Sequence, residues 1–346
     1  MRHPARTGLA LTLALAFAAT GCATATDGRP ASGGPGAAGA AGTVSAVSCG
    51  HEVAPAAPPR RAVTLDQTST EILLALGLQD RMAGTANLKT KIPAAYEAAY
   101  ADVPVIAPKI ATGEQLRAAA PDLVVAGSAD LFTKDRAGTR EELAALKVPT
   151  FVSAVDCPRL DPADRNPFEL LFSDYEKLGG LFGGDTAQRG RHLAAEQRAA
   201  VLRVREGSPV RRDADRPTVV FLYSVFNGMP YVAGGTGLPS EMSRIVGAKN
   251  AFDDIGEDWP EVSWEEVARR DPDLIVVGDL SERGRPGDSA AEKRAELTAH
   301  PVVSRLHAVR DDHILQVPGI ELDPSVRSVH TLGLLADGVK DLGRAH

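Results

Sequence analysis

The chain has no G-x-x-x-x-G-K phosphate loop, no G-x-S-x-G nucleophile elbow and no H-E-x-x-H zinc pair in its 346 residues. Nucleotide hydrolysis, acyl transfer and zinc proteolysis are therefore not indicated. Gly234-Gly235-Thr236-Gly237 superficially resembles a phosphate cradle, but no lysine follows, and the run reads as a turn leading into a helix near Ser240. Histidine is sparse: none lies between Glu52 and His192, and His192, His300, His307, His313 and His330 are scattered. A bare zinc or manganese ion needs several converging donors, so a directly bound metal is not expected. The same gap leaves Cys157 without a nearby histidine to activate it. A net charge of -7 gives no general reason to expect nucleic acid. No apolar stretch after the first 20 or so residues approaches the length of a transmembrane helix, so a soluble body is expected.

The first residues read as an address. Arg2 and Arg6 precede the apolar run Leu9 to Ala19, which is too short to span a bilayer and has the form of a signal-peptide core. It ends in Ala19-Thr20-Gly21-Cys22, which resembles the lipobox of bacterial lipoproteins, with Ala19 where leucine is common. Cys22 is thus the expected lipidation site, and the alternatives are a plain signal peptide with a free thiol or a short buried helix. Ala23 to Ser48 is rich in small and polar residues and is expected to be a flexible tether. Residues 1–21 are read as signal peptide and 22–59 as tether and lead-in. The protein is expected to be exported and held on the outer face of the cell membrane by lipid alone. Export permits disulfides. Cys49 precedes the first predicted strand and Cys157 follows the last strand of the first half, ends that meet in a doubly wound lobe. A Cys49–Cys157 bridge is expected, with two separate thiols as the alternative.

What the body does contain is a long-range repeat. Leu116 to Gly127 reads LRAAAPDLVVAG and Val267 to Gly278 reads VARRDPDLIVVG. Glu71 stands six residues before Gly77, and Glu241 six before Gly247. The offset of about 150 to 170 residues exceeds any solenoid unit and implies two similar lobes, a clamp that closes on a ligand. In the first lobe, strands are predicted at Arg61 to Leu65, Arg81 to Thr85, Val103 to Ile106, Leu123 to Ala126 and Pro149 to Ala154. Helices are predicted from Thr70 to Leu76, capped by Ser69 or Thr70, and at Gly113 to Ala120 and Glu141 to Leu146. A helix from Phe168 should stop at Gly179-Gly180. A long one should begin with Asp185 as N-cap, run to about Arg205 and bury Leu193, Val201, Leu202 and Val204. The second lobe should carry strands at Thr218 to Tyr223, Leu274 to Val277 and Ile314 to Val317, and helices at Ser240 to Val246, Trp264 to Arg269, Ala290 to Leu297 and Val326 to Leu342. Alternation at this spacing predicts an α/β class with mainly parallel sheets flanked by helices, whose strand-end loops form the ligand crevice.

RAVTLDQTSTEILLALGLQDRMAGTA, LRAAAPDLVVAG, GLPSEMSRIVGAKNAF and VSWEEVARRDPDLIVVGD together resemble, in order, the substrate-binding proteins of ABC importers for ferric siderophores, cobalamin or heme, the single-helix-linked class III of periplasmic binding proteins. The likeness runs from about Arg60 to the C-terminus. It implies two Rossmann-like lobes, residues 60–167 and 208–346, joined through connecting helices at 168–207 that include one long rigid strut, with the cleft between the lobes. It also implies partners, a permease and an ATPase, and no catalytic residue or resident cofactor. By resemblance, Glu71 and Glu241 occupy positions that face permease arginines; the alternative is two first-turn glutamates complementing helix dipoles. A monomer is expected.

The strand-end loops supply the candidate ligand contacts: Gln67, Thr68 and Ser69 beside Asp66, then Lys89 near Asn87, Lys109, and Ser128 to Phe132. From the second lobe come Tyr223, Phe226 and Tyr231, near Asn227 and Met229, with Trp259 and Arg283. Aromatic walls with a few cations suit a metal chelate. A ferric siderophore leads, with cobalamin, heme (ligated by Tyr223 or Tyr231) or another cofactor-like solute as alternatives. Readings of another class are a ligand-sensing lipoprotein and an extracytoplasmic enzyme.

Overall fold

The computed structural model describes residues 44–157 and 166–343. The segment read as signal peptide and most of that read as tether, with Cys22, lie outside the described residues. Within the segment read as tether and lead-in, Ala46–Ser48 (β1) and His51–Val53 (β2) form an antiparallel hairpin turning at Cys49-Gly50. The Ser48 hydroxyl bonds to the backbone N–H and C=O of Val152, at 2.7 and 2.8 Å, and Cys49 is joined to Cys157 by a disulfide with Cα atoms 5.2 Å apart.

The first sheet contains β3 (Ala62–Thr64), β4 (Met82–Ala86), β5 (Val105–Ala107), β6 (Leu123–Ala126) and β7 (Thr150–Val152) in the order β5-β4-β3-β6-β7, all parallel. Four helices alternate with them: α1 (Gln67–Ala75), α2 (Ala94–Tyr100), α3 (Gly113–Ala118) and α4 (Arg140–Ala145). Then come α5 (Pro167–Phe182) and α6 (Asp185–Glu206). In the second sheet β8 (Thr218–Phe226) pairs in parallel with β10 (Lys249–Asn250) and β11 (Leu274–Asp279), and β11 with β12 (Ile314–Pro318). An antiparallel strand β9 (Met229–Val232) folds back on β8. The accompanying helices are α7 (Leu238–Ile245), α8 (Trp264–Arg270), α9 (Ala290–Ala299), α10 (His307–Arg310) and α11 (Ser328–Leu342).

The repeat has a common mechanical role. β6 and β11 lie beside the first strand of their sheets, and the aspartate at the head of each caps that neighbour. Asp122 accepts from the N–H groups of Arg60 and Arg61 (2.7 and 2.9 Å), and Asp273 from that of Thr218 (2.7 Å). The residues before the two prolines, Ala120 and Asp271, both turn through left-handed backbone, φ 45° and 43°. Gly77 and Gly247, after the first helix of each lobe, do likewise at 65° and 72°.

Among the boundaries that differ from expectation, three have a clear physical reason. α1 starts at Gln67 because Asp66, not Ser69 or Thr70, accepts from the Ser69 N–H (2.9 Å). α5 runs through Gly179-Gly180 rather than stopping there, and Gly179 allows close packing against α6. α6 is capped by Gly184 and makes no side-chain cap bond through Asp185, which is its first residue. Its buried positions are Thr186, Gly190, Ala194 and Val201, while Leu202 is exposed. Small residues face α5, and the expected Leu202 contact falls outside.

The 22 residues of α6 span about 33 Å and touch both lobes. Near its start Arg189 donates to the Leu76 carbonyl (2.6 Å); further on Gln197 donates to that of Val326 (3.1 Å) and Arg205 pairs with Glu241 (3.7 Å). One apolar cluster, including Leu73, Phe151, Phe172, Ala194, Phe221, Leu274 and Leu335, runs from sheet to sheet past α5 and α6. Each sheet has a second cluster on its other face. Among the described residues no helix is long and apolar enough to cross a membrane.

Candidate functional site

The site grows from the carboxyl ends of β3 and β6, where the first sheet's strand order switches direction. Asp66 caps α1 and also accepts from the Ser69 hydroxyl (2.8 Å), the Thr68 hydroxyl (2.9 Å) and the Gly127 N–H (2.6 Å). A Cβ at Gly127 would come within 2.2 Å of the Thr68 hydroxyl, so the glycine closing the first repeat is what lets the two loops meet. Gln67 is fully buried. Its carbonyl oxygen accepts from the N–H groups of Lys89 and Thr90, both 2.8 Å, and its amide donates to Glu71 and Thr90. It shapes the 87–91 loop and so aims Lys89 across the cleft.

On the far side Lys89 meets the second lobe. Its ammonium lies 2.7 Å from Asp323, after β12, and 2.8 Å from the Tyr223 hydroxyl on β8. The Tyr223 hydroxyl in turn donates to Asp323 (2.8 Å), and its ring stacks on Trp259 at 4.3 Å. Burial works against the ammonium charge, but Asp323 and Tyr223 outweigh it and hold the Lys89 pKa above that of an ordinary lysine. Burial, reinforced by Asp323, pushes the Tyr223 phenol pKa up. A second bridge lies deeper: Arg327 grips Glu71 with two bonds of 2.9 Å.

Lys89, Tyr223 and Asp323 form part of the wall of a cavity of about 340 Å³. Gln67, Thr68, Lys89, Tyr223, Trp259 and Arg283 line it, together with Asp66, Asn87, Ser128, Asp130 and Leu131. Phe226 and Tyr231 lie in an adjoining chamber on the second lobe. Ser69 is buried behind Asp66, and Lys109 is exposed away from the cavity wall. The wall also holds Arg136, Asp156, Asp258, Arg285 and Asp323, which sequence reasoning missed. They sit on loops without a local pattern, and only the fold brings them together. Asp156 is pushed up to about 6, chiefly by burial and further by the charges of Asp258 across the cleft and Asp130 beside it.

Glu71 and Glu241 both face arginines of this chain rather than open solvent. Glu71 is wholly buried under Arg327, and Glu241 is 7% exposed between Arg244 and Arg205. Glu71 is not a first-turn residue either, since α1 begins four residues before it.

Two parallel-sheet lobes, a single long helix linking them and a cleft at the strand ends are the layout that the sequence resemblance implied. The chain matches the family described as periplasmic binding protein over residues 63–320. It belongs to that family. It is similar to a vitamin B12-binding protein of Yersinia pestis, 29% identical over 229 residues that make up 64% of this chain and 71% of that one. Among solved structures, a periplasmic binding protein from Veillonella parvula is 28% identical with a TM-score of 0.72, covering 86% of this chain and 97% of that one. A protein of an ABC-type Fe3+-hydroxamate transport system from Saccharomonospora viridis, 24% identical, shares the fold with a TM-score of 0.70 over 86% and 99% of the two chains. These relatives are binding proteins, not enzymes, as expected here.

Proposed function

We propose that this member of the family is the extracytoplasmic receptor of an ABC importer, capturing a compact metal chelate of low net charge and handing it to a permease driven by an ATPase. The observation that supports this reading most is the charge of the cavity wall. Five carboxylates (Asp66, Asp130, Asp156, Asp258, Asp323) face four cations (Lys89, Arg136, Arg283, Arg285), and Lys89–Asp323 and Arg136–Asp130 are already paired. Such a wall repels a polyanion and suits a neutral complex, in which three hydroxamates cancel the charge of ferric iron. A ferric tris-hydroxamate siderophore is therefore the leading cargo. Heme fits less well: no histidine lines the cavity, and Tyr223 spends its hydroxyl on Asp323 and Lys89 with its pKa raised, unlike an iron-ligating phenolate. Cobalamin is the second reading, because it is what the 29% identical relative is named for binding.

The test is a tryptophan-fluorescence titration of the full chain with a ferric tris-hydroxamate, a ferric tris-catecholate, cyanocobalamin and hemin. Trp259 stacks in the cavity wall and reports occupancy. Submicromolar quenching by the tris-hydroxamate, with the triply negative tris-catecholate at least tenfold weaker, is expected. Tighter binding of cyanocobalamin would favour the second reading, and no response from any of the four would overturn the chelate assignment.

A further inference from the structure

The main cavity does not end at Tyr223 and Trp259. A chamber of about 270 Å³ adjoins it, sharing Tyr223, Trp259, Arg283 and Arg285 as a common wall. Its outer side is the β8–β9 hairpin, which turns at Asn227-Gly228, both in left-handed backbone (φ 52° and 79°). Phe226 and Tyr231, on the two strands that meet at that turn, both line the chamber. Phe226 is 53% exposed and is the only exposed aromatic among the described residues, although every other phenylalanine described is buried. Exposing a phenylalanine beside two more aromatic rings has a hydrophobic cost that a bound ring would offset.

The cations of the chamber are unequal. Arg283 faces the nearly fully buried Asp288 carboxylate at 3.1 Å, and Asp288 also accepts from Ser224, so this charge is met from within. The Arg285 guanidinium is exposed and has no ion-pair or side-chain hydrogen-bond partner among the described residues. One guanidinium remains for a ligand, next to a wall of aromatic faces.

We infer that this chamber is a second binding subsite, which takes a flat aromatic ring carrying one anionic group, a carboxylate or a phosphate, as an arm of the captured molecule. The ring lies against Phe226, Tyr231 and Trp259, and the anion reaches Arg285. This rests on the receptor reading and adds to it: the cargo is two-part, with a near-neutral body in the main cavity and an aromatic acid arm beside it.

The arm can be tested without the body. The full chain is titrated with benzoate, phenyl phosphate, benzylamine and cyclohexanecarboxylate, followed by tryptophan fluorescence. Benzoate or phenyl phosphate should bind at millimolar levels, and whichever is tighter identifies the anion. Benzylamine tests the need for negative charge and cyclohexanecarboxylate the need for a flat ring; both should be about tenfold weaker or silent. Arg285→Gln should weaken the better probe about tenfold; Phe226→Ala, at a residue outside the main cavity wall, should weaken it several-fold without changing binding of a ferric tris-hydroxamate that has no such arm. Both positions are exposed, so the variants should fold, and the melting temperature checks it. Equal binding of all four probes, binding of none, or unchanged affinity in both variants would overturn the subsite. Failure of the chelate alone, with aryl-acid binding intact, would count against the chelate reading and leave the subsite standing.

Discussion

Asp174 shows how far a single buried group can tilt the stability of this chain. It sits on α5, 1% exposed, and accepts from the Ser153 hydroxyl (2.7 Å) and the Ala154 N–H (2.9 Å), while its second oxygen has no hydrogen-bond partner. Burial pushes its pKa up to about 7 despite those two bonds. An acid whose folded pKa is raised holds its proton in the native state after the unfolded chain has released it. The unfolded state then binds fewer protons, and stability falls as pH rises between the ordinary carboxyl range near pH 4 and about pH 7. Asp156, raised to about 6, acts in the same direction. Thermal melts of Asp174→Asn across pH 4 to 8 should therefore show a flatter profile than wild type. Parallel profiles would mean that Asp174 titrates normally. Nothing in the sequence around Asp174 signals this, since FSDYEK reads as an ordinary amphipathic helix. The burial comes from the strand-end turn at Ser153 packing onto it, a contact between segments 20 residues apart.

Elements were legible where a local rule governed them and obscure where a neighbour did. The apolar runs of β6 and β11 lie where the repeat put them, because a buried parallel strand needs little more than continuous apolar residues between turns. The hairpin at 46–53 and the helix at 94–100 were not foreseen: the first is three residues per strand, and the second is half exposed and alanine-rich. Gly179-Gly180 looked like a helix stop, yet the structure gives the two glycines different roles. A Cβ on Gly190 of α6 would lie 2.3 Å from the Tyr175 carbonyl, and one on Gly179 2.7 Å from that of Thr186, whereas Gly180 faces open space. Gly190→Ala should therefore cost about 1–3 kcal/mol by forcing α5 and α6 apart, against the usual gain from alanine in a helix. Gly180→Ala should add about 0.5–1 kcal/mol. Urea denaturation of the pair checks this. Stabilisation by both would mean that the helices do not touch through Gly190.

For the whole molecule, the question is what holds one lobe against the other. The sequence carried the two-lobe plan, through its repeated PDL-V-G strands and its strut, but the contacts across the cleft join residues more than 200 positions apart and leave no local trace. Lys89 to Asp323 and Glu71 to Arg327 are such contacts, and the second is the more buried. Glu71 is in no contact with water, its pKa is raised by burial while Arg327 and Gln67 pull it back, and Arg327 is 19% exposed at the side chain. Removing one member of a buried pair leaves the other charge stranded, which costs about 3–5 kcal/mol, whereas removing both charges costs far less. Arg327→Gln alone should thus be strongly destabilising, and adding Glu71→Gln, which keeps the bond from Gln67 within reach of an amide, should restore most of the loss. A strut-and-core mechanism in which the apolar cluster past α5 and α6 does all the joining gives a different result: each single variant is mild and the double is their sum. Equilibrium unfolding of the two singles and the double separates the cases, because a coupling energy well above about 1 kcal/mol appears only if the pair spans the lobes as a unit.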